Sequence, residues 1–168
     1  LTLIGGTTLS VAAASISISA IPSTYAALRI VAGLRSTRAS TSDRPGWSFN
    51  GDTTAAHYIT DLALNNGGSA AFQQTATAAG VDSDGPGASF TAGGFSLFDL
   101  SVIGYHTTAC FTALQGTETW ASAAGAVQYT IGGVWLVTTV VSSIAVAPAV
   151  GPNWLAGSFM FVYGLAAS

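Results

Sequence analysis

The residues best placed for chemistry lie in one short stretch, "FNGDTTAAHY", residues 49 to 58, which sets Asp52 and His57 around an Asn-Gly pair. An acid and an imidazole this close are raw material for an acid–base pair or part of a hydrolytic triad. The remaining parts are missing. No GxSxG frame offers a serine nucleophile. His57 and His106 are the only histidines, and with the single Cys110 they make a poor zinc set. Glu118 is the only glutamate among seven acids, so paired carboxylates for glycoside hydrolysis are hard to assemble. A calcium site needs several oxygens converging on one point. Asp52 with Asp82 and Asp84 of "VDSDGPG" would approximate one if the loops meet, but nothing local requires it. Asn50, Gly51 and Asp52 also have a plainer reading. Asn and Gly both tolerate positive φ, and an Asp side chain closes on the backbone N–H two residues on. The expectation is a structural turn and a chain that is not an enzyme and needs no cofactor, with calcium as the one alternative.

The elements that would position these residues are strands. Period-two alternation recurs from end to end. "SISIS" puts Ile16 and Ile18 on one face and serines on the other, and Pro22 follows to end the strand. "AALRIVAGLR" places Leu28, Ile30, Ala32 and Leu34 on one face, with Arg29 and Arg35 off it. Residues 36 to 47 read as a polar loop closed by Pro45 and Gly46, and "WSFNG" as a short strand into a turn. "HYITDLALNNGG" fits a strand or one helical turn. "SAAFQQTATAAG" reads as a weak strand and "VDSDGPGA" as an exposed loop. "FSLFDLSVIGY", "TTACFTALQG", "AVQYTI", "VWLVTTV", "SSIAVAP" and "SFMFVYGL" complete eight to ten short strands, with no amphipathic helix of useful length. That pattern predicts an all-β antiparallel sandwich, one domain over residues 1–168. The apolar terminal strands suggest ends that meet within the sheets, as in a jelly roll.

Charge bounds the partners. Only 7% of the 168 residues are charged, against roughly 25% in ordinary soluble domains. There is no lysine, and the formal charge is −3. A surface of Ser, Thr, Ala and Gly suits a subunit packed into an assembly, although extracellular β-proteins share it. The four arginines, Arg29, Arg35, Arg38 and Arg44, fall in one segment. They are too few for phosphate-backbone binding, so nucleic acid is excluded as a partner, and inter-subunit ion pairs or a solvated edge are expected instead. Cys110 has no intramolecular partner and sits in an apolar run that suggests a small buried hydrophobe. "LTLIGGTTLSVAAASISISA" lacks the basic flank of a signal peptide. "TIGGVWLVTTVVSSIAVAPAV" is uncharged over a membrane's thickness, yet its β-branched content and Pro148 favour two strands with a turn, so no membrane partner is expected. The chain begins at Leu1 rather than methionine.

Aromatic residues offer the other candidate sites. Trp47, Tyr58, Trp120, Trp135 and Trp154 present flat faces that would stack sugars or anchor an interface. Trp135, in "VWLV", reads as core. Trp47, Trp120 and Trp154 sit beside turn formers and read as loop-borne contacts, with an interface favoured over a glycan.

The opening "LTLIGGTTLSVAAASISISAIPSTYAALRIVAGLRST", the turn "FNGDT…Y", and the ending "SSIAV…WLAGSFMFVYGL" together resemble a family of bacteriophage and prophage virion structural proteins. The likeness runs in order along nearly the whole chain. It departs around Ala109 and Cys110, which lack a lysine often found there, and from Arg38 to Trp47, which break up the usual run. The resemblance implies a jelly-roll head-decoration, head-fibre or tail-associated domain on the particle surface. It implies a homo-oligomer, with a trimer expected first, in contact with virion proteins such as the major capsid protein or a fibre or tail protein. A receptor- or glycan-binding module of a tail fibre or tip is the alternative.

Overall fold

The computed structural model describes residues 1–66, 69–75, 80–91, 93–122 and 125–166. Among these the chain forms fourteen strands: β1 (Thr2–Thr8), β2 (Ile16–Ser19), β3 (Ala27–Leu34), β4 (Ser42–Asp43), β5 (Pro45–Phe49), β6 (Tyr58–Asn66), β7 (Ser69–Thr75), β8 (Val81–Asp82), β9 (Gly85–Pro86), β10 (Ser96–Ile103), β11 (Thr112–Ser122), β12 (Gly125–Trp135), β13 (Ser143–Pro148) and β14 (Phe159–Leu165). A single 3₁₀ turn, Ala55–His57, precedes β6.

The strands pair as an eight-stranded sheet in the order β1-β14-β3-β10-β11-β12-β6-β7, a four-stranded sheet β2-β13-β5-β8, and a ribbon β4-β9. Eight of them, counted in chain order as β1, β2, β3, β5, β8, β10, β13 and β14, carry the jelly-roll arrangement. The first pairs with the eighth and the third with the sixth. In the facing sheet the second pairs with the seventh and the fourth with the fifth. This is a long antiparallel hairpin rolled up, so the chain ends meet in adjacent strands. Two insertions, β6–β7 between the fourth and fifth strands and β11–β12 between the sixth and seventh, widen one sheet from four strands to eight.

Alternation explains the burial. Ile16 and Ile18 of β2, Leu28, Ile30, Ala32 and Leu34 of β3, Phe98, Leu100 and Val102 of β10, and Met160 and Val162 of β14 all point between the sheets. Trp47 meets Phe98 edge-on at 5.4 Å between ring centroids, and Phe49 packs against Trp135 at 5.7 Å, within the range where aromatic pairs attract.

Several boundaries differ from expectation. Residues 107 to 111 lie outside the strands, and β11 begins at Thr112 and runs through the polar "TETWAS". Residues 125 to 135 form one continuous strand through Gly132 and Gly133, because β6 and β11 pair along both its edges. The segment expected as an exposed loop, Val81 to Ala88, instead holds β8 and β9, with Val81, Asp82 and Ser83 buried. Its backbone pairs with β5 and β4, which satisfies polar groups that an exposed loop would leave to water.

Candidate functional site

The Asp52–His57 stretch folds as a corner. Asn50 and Gly51 have φ of 52° and 69°, and the Asp52 N–H donates to the Phe49 carbonyl at 2.9 Å. This is the left-handed two-residue turn the Asn-Gly pair favours. Asp52 then gathers donors. Its Oδ1 accepts the Thr54 N–H at 2.9 Å, and its Oδ2 accepts the Trp135 indole N–H at 2.8 Å and lies 2.7 Å from His57 Nδ1. An ionised carboxylate only accepts, so Nδ1 carries the proton there. Partial burial opposes ionisation, but the bonds from Trp135, Thr54 and His57 outweigh it and hold the carboxyl well below the usual range. The Tyr58 hydroxyl donates to the Asp52 carbonyl at 2.8 Å and accepts the Phe49 N–H at 3.1 Å, and burial pushes the phenol up to about 12. Asn50 ties the corner to the facing loop through its side-chain oxygen, which accepts from the Ser142 and Ser143 N–H groups. Both Asp52 oxygens are engaged by internal donors, so the group is a brace rather than a base.

The three acids proposed for calcium do not converge. No cluster of three His, Cys, Asp or Glu side chains suited to a metal occurs among the described residues. Asp82 faces Arg44 at 3.6 Å, and the Tyr129 hydroxyl donates to Asp84 at 2.8 Å. Burial raises both carboxyls, more than Arg44 and the Tyr129 bond lower them. Glu118 is fully buried beside Asp84, whose N–H donates to its Oε2 at 3.1 Å, and among the described residues its Oε1 has no hydrogen-bond partner. Burial, with the neighbouring Asp84 charge, holds Glu118 well above the usual carboxylate range.

The arginines each have partners within the chain, and the side chains of Arg29 and Arg44 remain 42% and 47% exposed. Arg29 clamps Asp99 with two bonds, the Nε–H···Oδ1 bond being 2.8 Å. Arg35 is buried and donates to the carbonyls of Ala88 and Phe90, Arg38 donates to the Ser42 carbonyl, and Arg44 pairs with Asp82. The aromatic contacts need a correction. Trp47, Tyr58 and Trp154 are at most 1% exposed and Trp120 is 9% exposed, so none offers a face to a glycan or a neighbour. Trp47 lies on β5 and Trp120 on β11, where alternation turns them inward; Trp154 is loop-borne but capped by its indole bond to the Val146 carbonyl at 2.9 Å. Trp135 is core, as expected. Cys110 is exposed rather than buried, because residues 107 to 111 are not strand.

What faces outward is the second side of the eight-stranded sheet. Its cross-strand rows follow from the register. One row reads Leu165, Ala27, Ile103, Ala113, Val134 and Ile59, all apolar. The next runs Leu3, Tyr163, Arg29, Ser101, Gln115, Gly132 and Asp61, and the third Gly6, Phe161, Val31, Asp99, Thr117, Thr130 and Ala63. The half built by β1, β14, β3 and β10 is mostly apolar, broken by the neutralised Arg29–Asp99 pair, Ser101 and Thr8, with Leu3, Leu97 and Ile103 at 56%, 58% and 46% exposure. Phe159 and Phe161 lie across Gly33 and Gly6, where an added Cβ would fall 2.4 and 2.0 Å from the rings. The glycines therefore let the rings lie flat on the sheet. The half built by β11, β12 and β6 sets Gln115, Thr117, Thr130 and Asp61 beside the apolar row of Ala113, Val134 and Ile59, and contains a depression of about 520 Å³. Sequence reasoning missed this face, because its rows join residues as far apart as Leu3 and Tyr163, and only the alternate positions of each strand hinted at it. No protein-family model, curated protein or solved structure matches this chain.

Proposed function

We propose that this chain is a non-enzymatic structural subunit of a phage-like particle, a head-decoration or fibre-type jelly roll carried on the virion surface as a closed homo-oligomer. A trimer is the first expectation, seated against other virion proteins such as the major capsid protein or a fibre or tail protein. The observation that supports assembly is the flat apolar half of the outer face. Four strands of seven or eight residues cover roughly 19 by 26 Å. That is about 500 Å² in projection, a large part of the ~800 Å² that a stable interface buries per partner. That is the size of the largest apolar patch on a typical monomer, which is often a functional surface. The virion context comes from the sequence resemblance, and the jelly-roll strand order is in keeping with it.

Native mass by light scattering after size exclusion, at low micromolar concentration, tests the reading. A closed oligomer is expected. A stable monomer would overturn it, and would leave the glycan-binding alternative to be judged on the polar half alone.

A further inference from the structure

The structure assigns a ligand site to the polar half of the outer face: the depression over β12, walled by Asp61 and Gln115, binds a neutral hydroxyl-rich ligand such as a glycan's sugar ring. The assignment does not rest on the assembly reading, because the depression lies on the inserted strands beside the apolar half.

Its volume, about 520 Å³, falls within the range of roughly 300–1,000 Å³ typical of small-molecule sites. The register puts Gln115, Gly132 and Asp61 side by side on three neighbouring strands, with Ser101 next to Gln115 and Thr117 one row away. The floor is the backbone of Gly132. Gly6, Gly33, Gly116, Gly133 and Gly164 are strand glycines whose missing Cβ is accounted for, since one added there would fall within 2.5 Å of a neighbour. Gly132 differs. A Cβ there would meet only Asp61, at an ordinary 3.9 Å, and its φ lies outside the left-handed region. Neither crowding nor backbone conformation requires glycine there, and a mid-strand glycine costs stability. Close approach of a ligand to the strand is a remaining reason for one.

The second observation is Asp61. Among the described residues its Oδ1 is buried yet accepts no hydrogen bond, and an unpaired buried acceptor is costly. Nor does Asp61 face a cation among the described residues, whereas the face's other charged groups, Arg29 and Asp99, neutralise each other. A carboxylate acceptor, the Gln115 amide and the Thr117 and Ser101 hydroxyls together suit vicinal hydroxyls, which donate and accept at once. The lone negative charge disfavours an anionic ligand, and the apolar surface that Ala63, Ile131 and the strand glycines add to the lining suits the C–H face of a sugar ring.

The test uses the whole chain, ¹⁵N-labelled, titrated with neutral oligosaccharides of glucose, galactose, mannose and N-acetylglucosamine, and separately with spermidine. At least one oligosaccharide is expected to shift the amide resonances of Asp61, Gln115, Thr117 and Gly132 together. Gly132→Val fills the floor and Asp61→Asn removes the charged acceptor. Each is expected to weaken that binding at least about tenfold, with the remaining amide spectrum unchanged as evidence of folding. Shifts from spermidine alone, shifts centred elsewhere, no response to any sugar, or a folded Gly132→Val chain that binds like the parent would each overturn the assignment.

Discussion

At the scale of single residues, the corner around Asp52 shows how chemistry-bearing side chains become structural when a fold supplies their partners. One carboxylate receives Thr54, Trp135 and His57 and so joins the Asn-Gly turn to the end of β12. Replacing it by alanine strands a buried indole N–H. Asp52→Ala should therefore lose about 2–3 kcal/mol in urea unfolding, and Asp52→Asn less, since the amide oxygen still accepts. A variant as stable as the parent would mean that water replaces the carboxylate without cost. Trp47 supports a parallel prediction that separates a core anchor from a surface contact. It is fully buried against Phe98, and its indole N–H donates to Ser83 Oγ at 3.3 Å. Trp47→Ala should cost about 3–5 kcal/mol, whereas a glycan-stacking tryptophan could be removed with little change in the urea midpoint. The turn was legible because Asn-Gly geometry is local. The inward direction of Trp47 and Trp120 was not, because neighbouring Gly, Pro and Glu suggest loops while the register that turns them inward depends on distant strands.

At the scale of elements, alternation identified β2, β3, β10, β13 and β14, and apolar ends anticipated the β1–β14 pairing that closes the roll. Alternation fails where a strand is held by its neighbours rather than by its own pattern. The two-residue strands β4, β8 and β9 carry no period to read, and β12 crosses a Gly-Gly pair only because β6 and β11 pair beside it. The depression is still less legible. Its residues come from strands distant in sequence, and an uncrowded glycine looks the same in a sequence as a crowded one. The apolar half of the wide sheet makes the element-scale prediction. Leu97 and Ile103 project outward from β10 while their neighbours Phe98, Leu100 and Val102 fill the core. Leu97→Lys with Ile103→Lys should leave the melting temperature of the fold nearly unchanged, because these side chains touch mainly water in the single chain. The same pair should break the oligomer, since a neighbour would have to bury two ammonium groups without partners. Light scattering of the double variant reads the outcome, and an oligomer that survives would move the interface to another face.

For the whole molecule, scarcity of charge makes the response to pH a sum of very few groups. Asp52 and Asp99 are held below their ordinary value of 3.8, Asp52 by donors that outweigh its burial and Asp99 chiefly by its bond from Arg29. Their stabilisation is present above that value and is lost as pH falls toward their folded values. Glu118, Asp84 and Asp82 are shifted the opposite way, principally by burial. The folded chain holds their protons more tightly than the unfolded chain does, so their contribution is complete below ordinary values of 4.5 and 3.8 and declines as pH rises. Each full unit by which a folded carboxyl exceeds its unfolded value removes about 1.4 kcal/mol once the pH has passed both. The two sets cross in mildly acid solution. Stability should peak near about pH 4–5 and fall toward pH 8, rather than sit on a plateau through neutrality. Urea midpoints between pH 3 and 8, at fixed protein concentration, read this curve directly. Glu118→Gln keeps an acceptor for the Asp84 N–H and removes the largest of the raised groups, so it should flatten the fall on the alkaline side. If the parent instead gains stability steadily from pH 4 to 8, the buried Glu118 and Asp84 are ionised in the fold and must have partners that compensate them.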